Sequence, residues 1–152
     1  MFQITRQADY GLLLVTALAA HYKDGYVSLR EISERRKLPY RFLSKIVISL
    51  RKANIVISHE GATGGYRLAK APDQIKLRDV LEALGENLSL VRCESDDKNC
   101  QSFCQCNARG FWSELQTAID QIVERYTIGD FLKKALPQEK PNVTFRRLIA
   151  TN

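Results

Sequence analysis

Four cysteines fall within fourteen residues in the pattern Cys93-x6-Cys100-x3-Cys104-x-Cys106, and the chain of 152 residues contains no others. Thiolates are soft donors, so bunched cysteines are expected at zinc, copper or iron-sulfur centres, or in disulfide-stapled secreted domains. The start of the chain lacks the positive charge, apolar stretch and small-residue cleavage site of a secretory signal, and Leu12-Leu13-Leu14-Val15 is too short to span a bilayer. The protein is therefore expected to be cytoplasmic, away from membranes, with reduced thiols. In a reducing compartment an even cysteine count loses its disulfide meaning, which leaves a metal site, a redox switch or four separate buried thiols.

The cysteines lie in a segment from about Glu86 to Ala108 that is acidic in the middle, at Glu94-Ser95-Asp96-Asp97, and follows neither helical nor strand periodicity. A structureless loop of that length needs a functional or stabilising reason, and a bound metal centre supplies one. Enzyme chemistry finds little footing. The only histidines, His21 and His59, stand far from the cysteines in sequence, and no nucleophile-base pairing or phosphate-binding loop is present.

Charge is distributed unevenly. Residues 1–80 hold 14 Lys and Arg against 7 Asp and Glu, whereas residues 81–152 hold 9 against 10. A basic N-terminal half beside a neutral C-terminal half is the electrostatic footprint of phosphate binding, because each neutralised phosphate releases counterions.

The elements of that basic half can be read from caps and periodicity. Thr5 offers an N-cap hydroxyl, Asp9 places an acid near the positive end of a helix, and Tyr10 to Tyr22 reads as a mostly buried first helix. Ser28 and Glu31 have capping-box spacing for a short second helix, Leu29 to Arg36. Pro39 suits the first turn of a third helix, Tyr40 to Ala53, with an apolar stripe of Phe42, Leu43, Ile46, Val47 and Leu50. Arg41, Ser44, Lys45 and Ser49 fall largely away from that stripe, so a core-facing side is paired with a polar and cationic one. Two short helices joined by a tight turn, the second with such a face, fit helix-turn-helix. Asn54 closes the third helix, Ile55 to Ser58 and Tyr66 to Ala69 read as strands, and Gly61-Ala62-Thr63-Gly64-Gly65 as the turn between them. A hairpin directly after a helix-turn-helix is a wing, whose loop glycines let backbone amides approach phosphates closely.

The second half begins with Leu77 to Gly85, a helix stopped by glycine, which leads into the cysteine segment. Beyond it Phe111, Trp112, Leu115, Ala118, Ile119, Ile122, Val123 and Tyr126 recur at three-and-four spacing, and Thr127-x-x-Asp130 is read as the cap of a short helix, Phe131 to Leu136. So long a stripe exceeds what one small domain can bury, which points to a homodimer in which this helix packs on its twin and on the first helix, the alternative being burial within one chain. The fold class is thus mainly α with a small β-hairpin. Residues 1–85 form a winged helix-turn-helix, 86–108 a cysteine-rich loop, 109–136 a dimerisation helix and its short successor, and 137–152 a polar tail expected to be loose.

Taken together, Ile32-Ser33, then Leu38-Pro39-x-x-Phe42-Leu43-x-Lys45-Ile46, then Leu50-Arg51-Lys52-Ala53-x-Ile55-Val56, then Gly61-x-x-Gly64-Gly65-Tyr66-x-Leu68-Ala69 resemble the IscR/NsrR-type family of bacterial winged-helix repressors. The resemblance covers about residues 2–136 and implies a homodimeric regulator of transcription that binds a double-stranded operator. It also implies an iron-sulfur cluster, 2Fe-2S or 4Fe-4S, held by three cysteines that match Cys93, Cys100 and Cys106, with Cys104 as an extra thiol or alternative ligand. The interval Cys93-x6-Cys100 is one residue longer than the commoner spacing in the family. For the fourth ligand, the histidine of IscR-like members is replaced here by Arg109, whereas the aspartate that NsrR-like members supply from the partner subunit is matched by Asp9. Glu60, preceded by His59, stands where relatives often carry a basic residue before the first wing glycine, and an acid there is repelled by phosphates, which opposes minor-groove contact by this wing or implies a different operator.

The residues expected at DNA are Ser28, Tyr40, Arg41, Phe42, Ser44, Lys45, Arg51, His59, Gly64, Gly65 and Tyr66. The leading reading is a repressor whose cluster reports nitric oxide, oxygen, redox state or iron-sulfur supply. The alternatives are a regulator of the same fold with a zinc or thiol-disulfide switch, for which Cys100-x3-Cys104 and Cys104-x-Cys106 are close enough, and a cluster carrier or enzyme that does not bind DNA.

Overall fold

Helix α1, Arg6–Ala20, starts one turn earlier than the apolar run by itself suggests, because the Thr5 hydroxyl accepts a hydrogen bond from the Ala8 N–H at 3.2 Å and so sets the N-terminus. The computed structural model of the chain describes residues 4–61, 64–91 and 106–134. Within them α1 buries Leu14, Val15 and Leu18 in the centre of the core.

Helix α2, Leu29–Arg36, and helix α3, Tyr40–Lys52, follow with a turn of three residues between them. Lys37 (φ 53°) and Asn54 (φ 55°) take the left-handed conformation that ends a helix, and at Lys37 the next N–H, of Leu38, reaches back to the Ser33 carbonyl at 2.9 Å. Two sequence expectations fail at helix starts. Ser28 makes no side-chain capping bond, and the Glu31 carboxylate, the other half of the expected box, pairs with Arg35 one turn on at 2.8 Å. Pro39 is the N-cap residue, its carbonyl accepting from Leu43 at 3.1 Å, rather than the first helical residue.

Strands β1, Val56–His59, and β2, Gly65–Leu68, pair antiparallel with Val56 opposite Leu68 and His59 opposite Gly65. Val27, just before α2, adds to the outer side of β2 through two 2.9 Å bonds with Tyr66, which ties the helix-turn-helix to the wing. That bridge leaves no room beside it: a β-carbon on Gly65 would stand 2.7 Å from the Val27 carbonyl oxygen. Gly65→Ala is therefore expected to lower stability by about 1–3 kcal/mol, the usual cost of overpacking, as read by urea denaturation. An unchanged midpoint would show that the bridge yields without cost.

After a 3-10 turn at Pro72–Gln74 come α4, Leu77–Ala83, the long α5, Arg109–Arg125, and α6, Ile128–Lys134. Helix α6 begins one residue after Thr127, three earlier than expected. Thr127 and Asp130 close a capping box, with the Asp130 carboxylate accepting from the Thr127 N–H (2.9 Å) and the Asp130 N–H donating to the Thr127 hydroxyl (3.3 Å), so Asp130 lies inside the helix. Backbone bonds of 2.9 Å from Leu77 to Tyr126 and from Ile128 to Ile75 return the chain to the base of the winged domain. Ile128 is fully buried in one core with Leu14, Leu18, Leu43, Ile46, Leu50 and Leu68, and α6 packs on α1. The C-terminal helix thus shares the core of residues 1–85.

Candidate nucleic-acid interface and cysteine site

The surface that can meet DNA is built from α3 outward. Leu43, Ile46, Val47 and Leu50 are buried, which turns Arg41, Lys45, Ile48 and Lys52 outward at i, i+4, i+7 and i+11, along a single row. Beside that row, the start of α2, the two ends of α3 and the wing enclose an open groove. Seven of the expected residues line it: Ser28, Tyr40, Arg51, His59, Gly64, Gly65 and Tyr66. Long-range folding has therefore gathered residues up to 38 positions apart.

Other expected residues are placed differently. Phe42 is half-buried and packs against the core edge-on to the Tyr10 ring, with centroids 5.4 Å apart, which seats α3 on α1. Ser44 donates its hydroxyl proton to the Tyr40 carbonyl at 2.9 Å, which leaves the oxygen's lone pairs as its means of contact. The wing glycines have steric reasons of their own, since a β-carbon on Gly64 would meet the His59 carbonyl oxygen at 2.6 Å. His59 is exposed and stacks on Tyr26 (5.3 Å), whose ring also carries the Arg67 guanidinium at 5.0 Å. Glu60 is exposed beside it, so the wing tip presents a carboxylate next to an imidazole. Arg30, Ile48 and Lys52 join this surface without having been singled out from sequence. Arg30 lines the groove, and the i, i+4, i+7, i+11 spacing from Arg41 was the available signal for the other two.

Of the four cysteines, Cys106 lies within the described residues and Cys93, Cys100 and Cys104 lie outside them. Cys106 is an exposed free thiol three residues ahead of α5, and its carbonyl accepts from the Arg109 N–H at 3.2 Å. The arm that leads toward Cys93 is pinned to the middle of α5 by one side chain: Gln116 Oε1 accepts from the Leu90 N–H (2.8 Å) while its Nε2 donates to the Leu88 carbonyl (3.1 Å). The same arm is tied to the head of α1, where the Thr5 hydroxyl bonds Glu86 and Gln7 Nε2 donates to the Leu84 carbonyl at 3.0 Å. Asp9, exposed in the first turn of that helix, thus lies on the element fastened to the start of the cysteine segment. Among the described residues no three His, Cys, Asp or Glu side chains come together as a metal site.

An ion-pair network locks α4 to α5. Arg78 donates to Asp120 (2.6 Å) and Lys76 to Glu124 (2.8 Å). The hydrogen bond from Lys76, aided by its charge, holds the Glu124 carboxyl below the usual carboxylate range, and the bond to Glu124 likewise raises Lys76. Glu124 therefore supports the fold at neutral pH and ceases to do so as acid protonates it, while Lys76 contributes until alkaline pH removes its proton. Both groups are solvent-exposed, so each contribution is small.

The opposite side of α5 is uncovered. Phe111, Leu115 and Ile122 are 61%, 37% and 49% exposed, and Val123 is the single buried residue of the helix. Among the described residues no helix is long and apolar enough to cross a membrane.

A family described as iron-dependent transcriptional regulators, Rrf2, matches residues 4–134. The chain belongs to the Rrf2 family. Its curated relatives include the HTH-type transcriptional regulator NsrR of Halalkalibacterium halodurans, 34% identical over 86% of this chain and 90% of that protein. Among solved structures it is similar to CymR, the global cysteine regulator of B. subtilis, with a TM-score of 0.75 and 28% identity over 88% of this chain and 98% of that one. T. potens IscR superimposes with a TM-score of 0.72 and 29% identity over 91% of this chain and 92% of the other. These Rrf2 relatives are regulators of transcription and not enzymes, and the winged-helix architecture expected from sequence is the one they share.

Proposed function

We propose that this Rrf2 chain is a homodimeric, cytoplasmic repressor that binds operator DNA through α3 and the wing. In this reading Cys93, Cys100 and Cys106 hold an iron-sulfur cluster that reports nitric oxide, redox state or iron-sulfur supply. The observation that carries it is the exposed Cys106 thiol at the head of α5, last of the four clustered cysteines in a chain of an iron-dependent regulator family. When bound, such a cluster supplies iron open to small oxidants and sulfide that is readily lost. The chain's own part is to present soft thiolates, and Asp9 of the partner subunit, or Cys104, completes the set. A ligand shared between subunits couples site occupancy to dimer geometry and hence to the spacing of the two α3 helices. The test is an anaerobic visible and electron paramagnetic resonance spectrum with iron and sulfide assays on one sample. Cluster signals are expected, and a colourless, iron-free protein after reconstitution would overturn the reading.

A second reading, a zinc or thiol-disulfide switch on the same fold, is favoured by the Cys104-x-Cys106 spacing. Zinc and disulfide are both colourless, so the same spectrum separates this reading from the cluster.

The dimer is assigned to the uncovered face of α5. Placing a charge there, as Ile122→Glu, is expected to convert the protein to a monomer while the core stays folded, because Ile122 is 49% exposed in the single chain. Sedimentation that still finds a dimer would move the interface elsewhere.

A further inference from the structure

We infer that Ile48 is a specificity-determining residue that reads the 5-methyl group of thymine in the major groove; the inference rests on the duplex-DNA reading of α3. Every other large aliphatic side chain of α3 is buried, whereas Ile48 is 53% exposed. Helix propensity does not explain it, because isoleucine is a poorer helix former than the lysine and arginine around it.

Its neighbours define what it can touch. Arg41 and Lys45 precede it and Lys52 follows it in the same outward row, all exposed. Cations at both ends of a helix that lies in the major groove reach the phosphate walls, and the apolar group between them is carried to the floor. There the thymine 5-methyl is the apolar feature of the base edges. The alternative occupant, a second copy of this chain, would bring the same cations face to face, and the uncovered stripe of α5 supplies a better apolar contact for that purpose.

The test begins with an operator selected from random duplexes by the wild-type protein, in which each thymine is then replaced singly by uracil so that only the methyl group is lost. At one thymine or more the wild type is expected to lose about fourfold in affinity, the worth of one buried methyl carbon. Ile48→Ala should lose a similar factor on the thymine operator and nothing further with uracil at that position, so the two losses do not add. Ile48→Val, which keeps a branched apolar group, should still discriminate. Additive losses at every thymine would overturn the inference. So would an Ile48→Ala variant whose defect is equal on random-sequence DNA or appears as a weakened dimer. Failure of the wild type to enrich any duplex would instead sink the DNA reading itself, and this inference with it.

Discussion

Cys106→Ala is expected to abolish the visible absorption of protein purified without oxygen and to leave iron and sulfide near background, whereas Cys104→Ala should retain most of both. The argument is one of donor count. A cluster bound by three thiolates and one oxygen cannot replace a lost thiolate by water without exposing iron to loss, whereas an extra thiol outside the set is dispensable. The experiment is clean because Cys106 is an exposed free thiol ahead of α5 and its removal takes nothing from the core. Thermal unfolding of the cluster-free variant should therefore match that of cluster-free wild type within about 0.5 kcal/mol, the range of ordinary surface substitutions. An unchanged spectrum in Cys106→Ala would remove Cys106 from the ligands, and a bleached Cys104→Ala with an intact Cys106→Ala would exchange the two.

Arg41→Ala is expected to weaken operator binding by about 1–3 kcal/mol if the guanidinium meets a guanine edge, or to lower the salt dependence by about one counterion if it meets a phosphate. Both outcomes follow from its position in the first turn of α3, at the head of the outward row and away from the buried stripe. Dimerisation and cluster content should not change, since Arg41 is an exposed residue of α3, outside both the uncovered face of α5 and the cysteine set. Titrations at several salt concentrations distinguish the two contacts, and wild-type affinity throughout would take Arg41 out of the interface. Lys45, one turn further along the same row, should behave as a phosphate contact, with its loss felt alike on specific and random DNA.

The elements most legible in advance were those governed by local rules. The three-and-four spacing of Leu43, Ile46, Val47 and Leu50 sets which side of α3 is buried, and the wing follows from β-branched residues around a glycine-rich turn. Local rules failed where two partners competed for one group. Ser28 and Glu31 have the spacing of a capping box, yet Arg35 offers Glu31 an ion pair, and no count along the chain decides between them. At Thr127 and Asp130 the same motif does close, and it moves the helix start from the expected Phe131 to Ile128. Phe42 reads both as part of the apolar stripe and as a residue near DNA, and only the structure shows the Tyr10 ring of another helix as its packing partner.

From the sequence alone came the cysteine pattern, the basic N-terminal half, the fold class and the family, because donor type, charge and periodicity are properties of residues and their spacing. Tertiary structure decided what depends on elements distant along the chain. It joined Val27 to the wing, returned α6 to the core beneath α1, fastened the cysteine arm to α5 through Gln116, and left Ile48 outside among cations. Each of these outcomes is set by which surfaces meet when the chain closes on itself, and that choice is made by the summed burial of the whole core rather than by any segment's own preference.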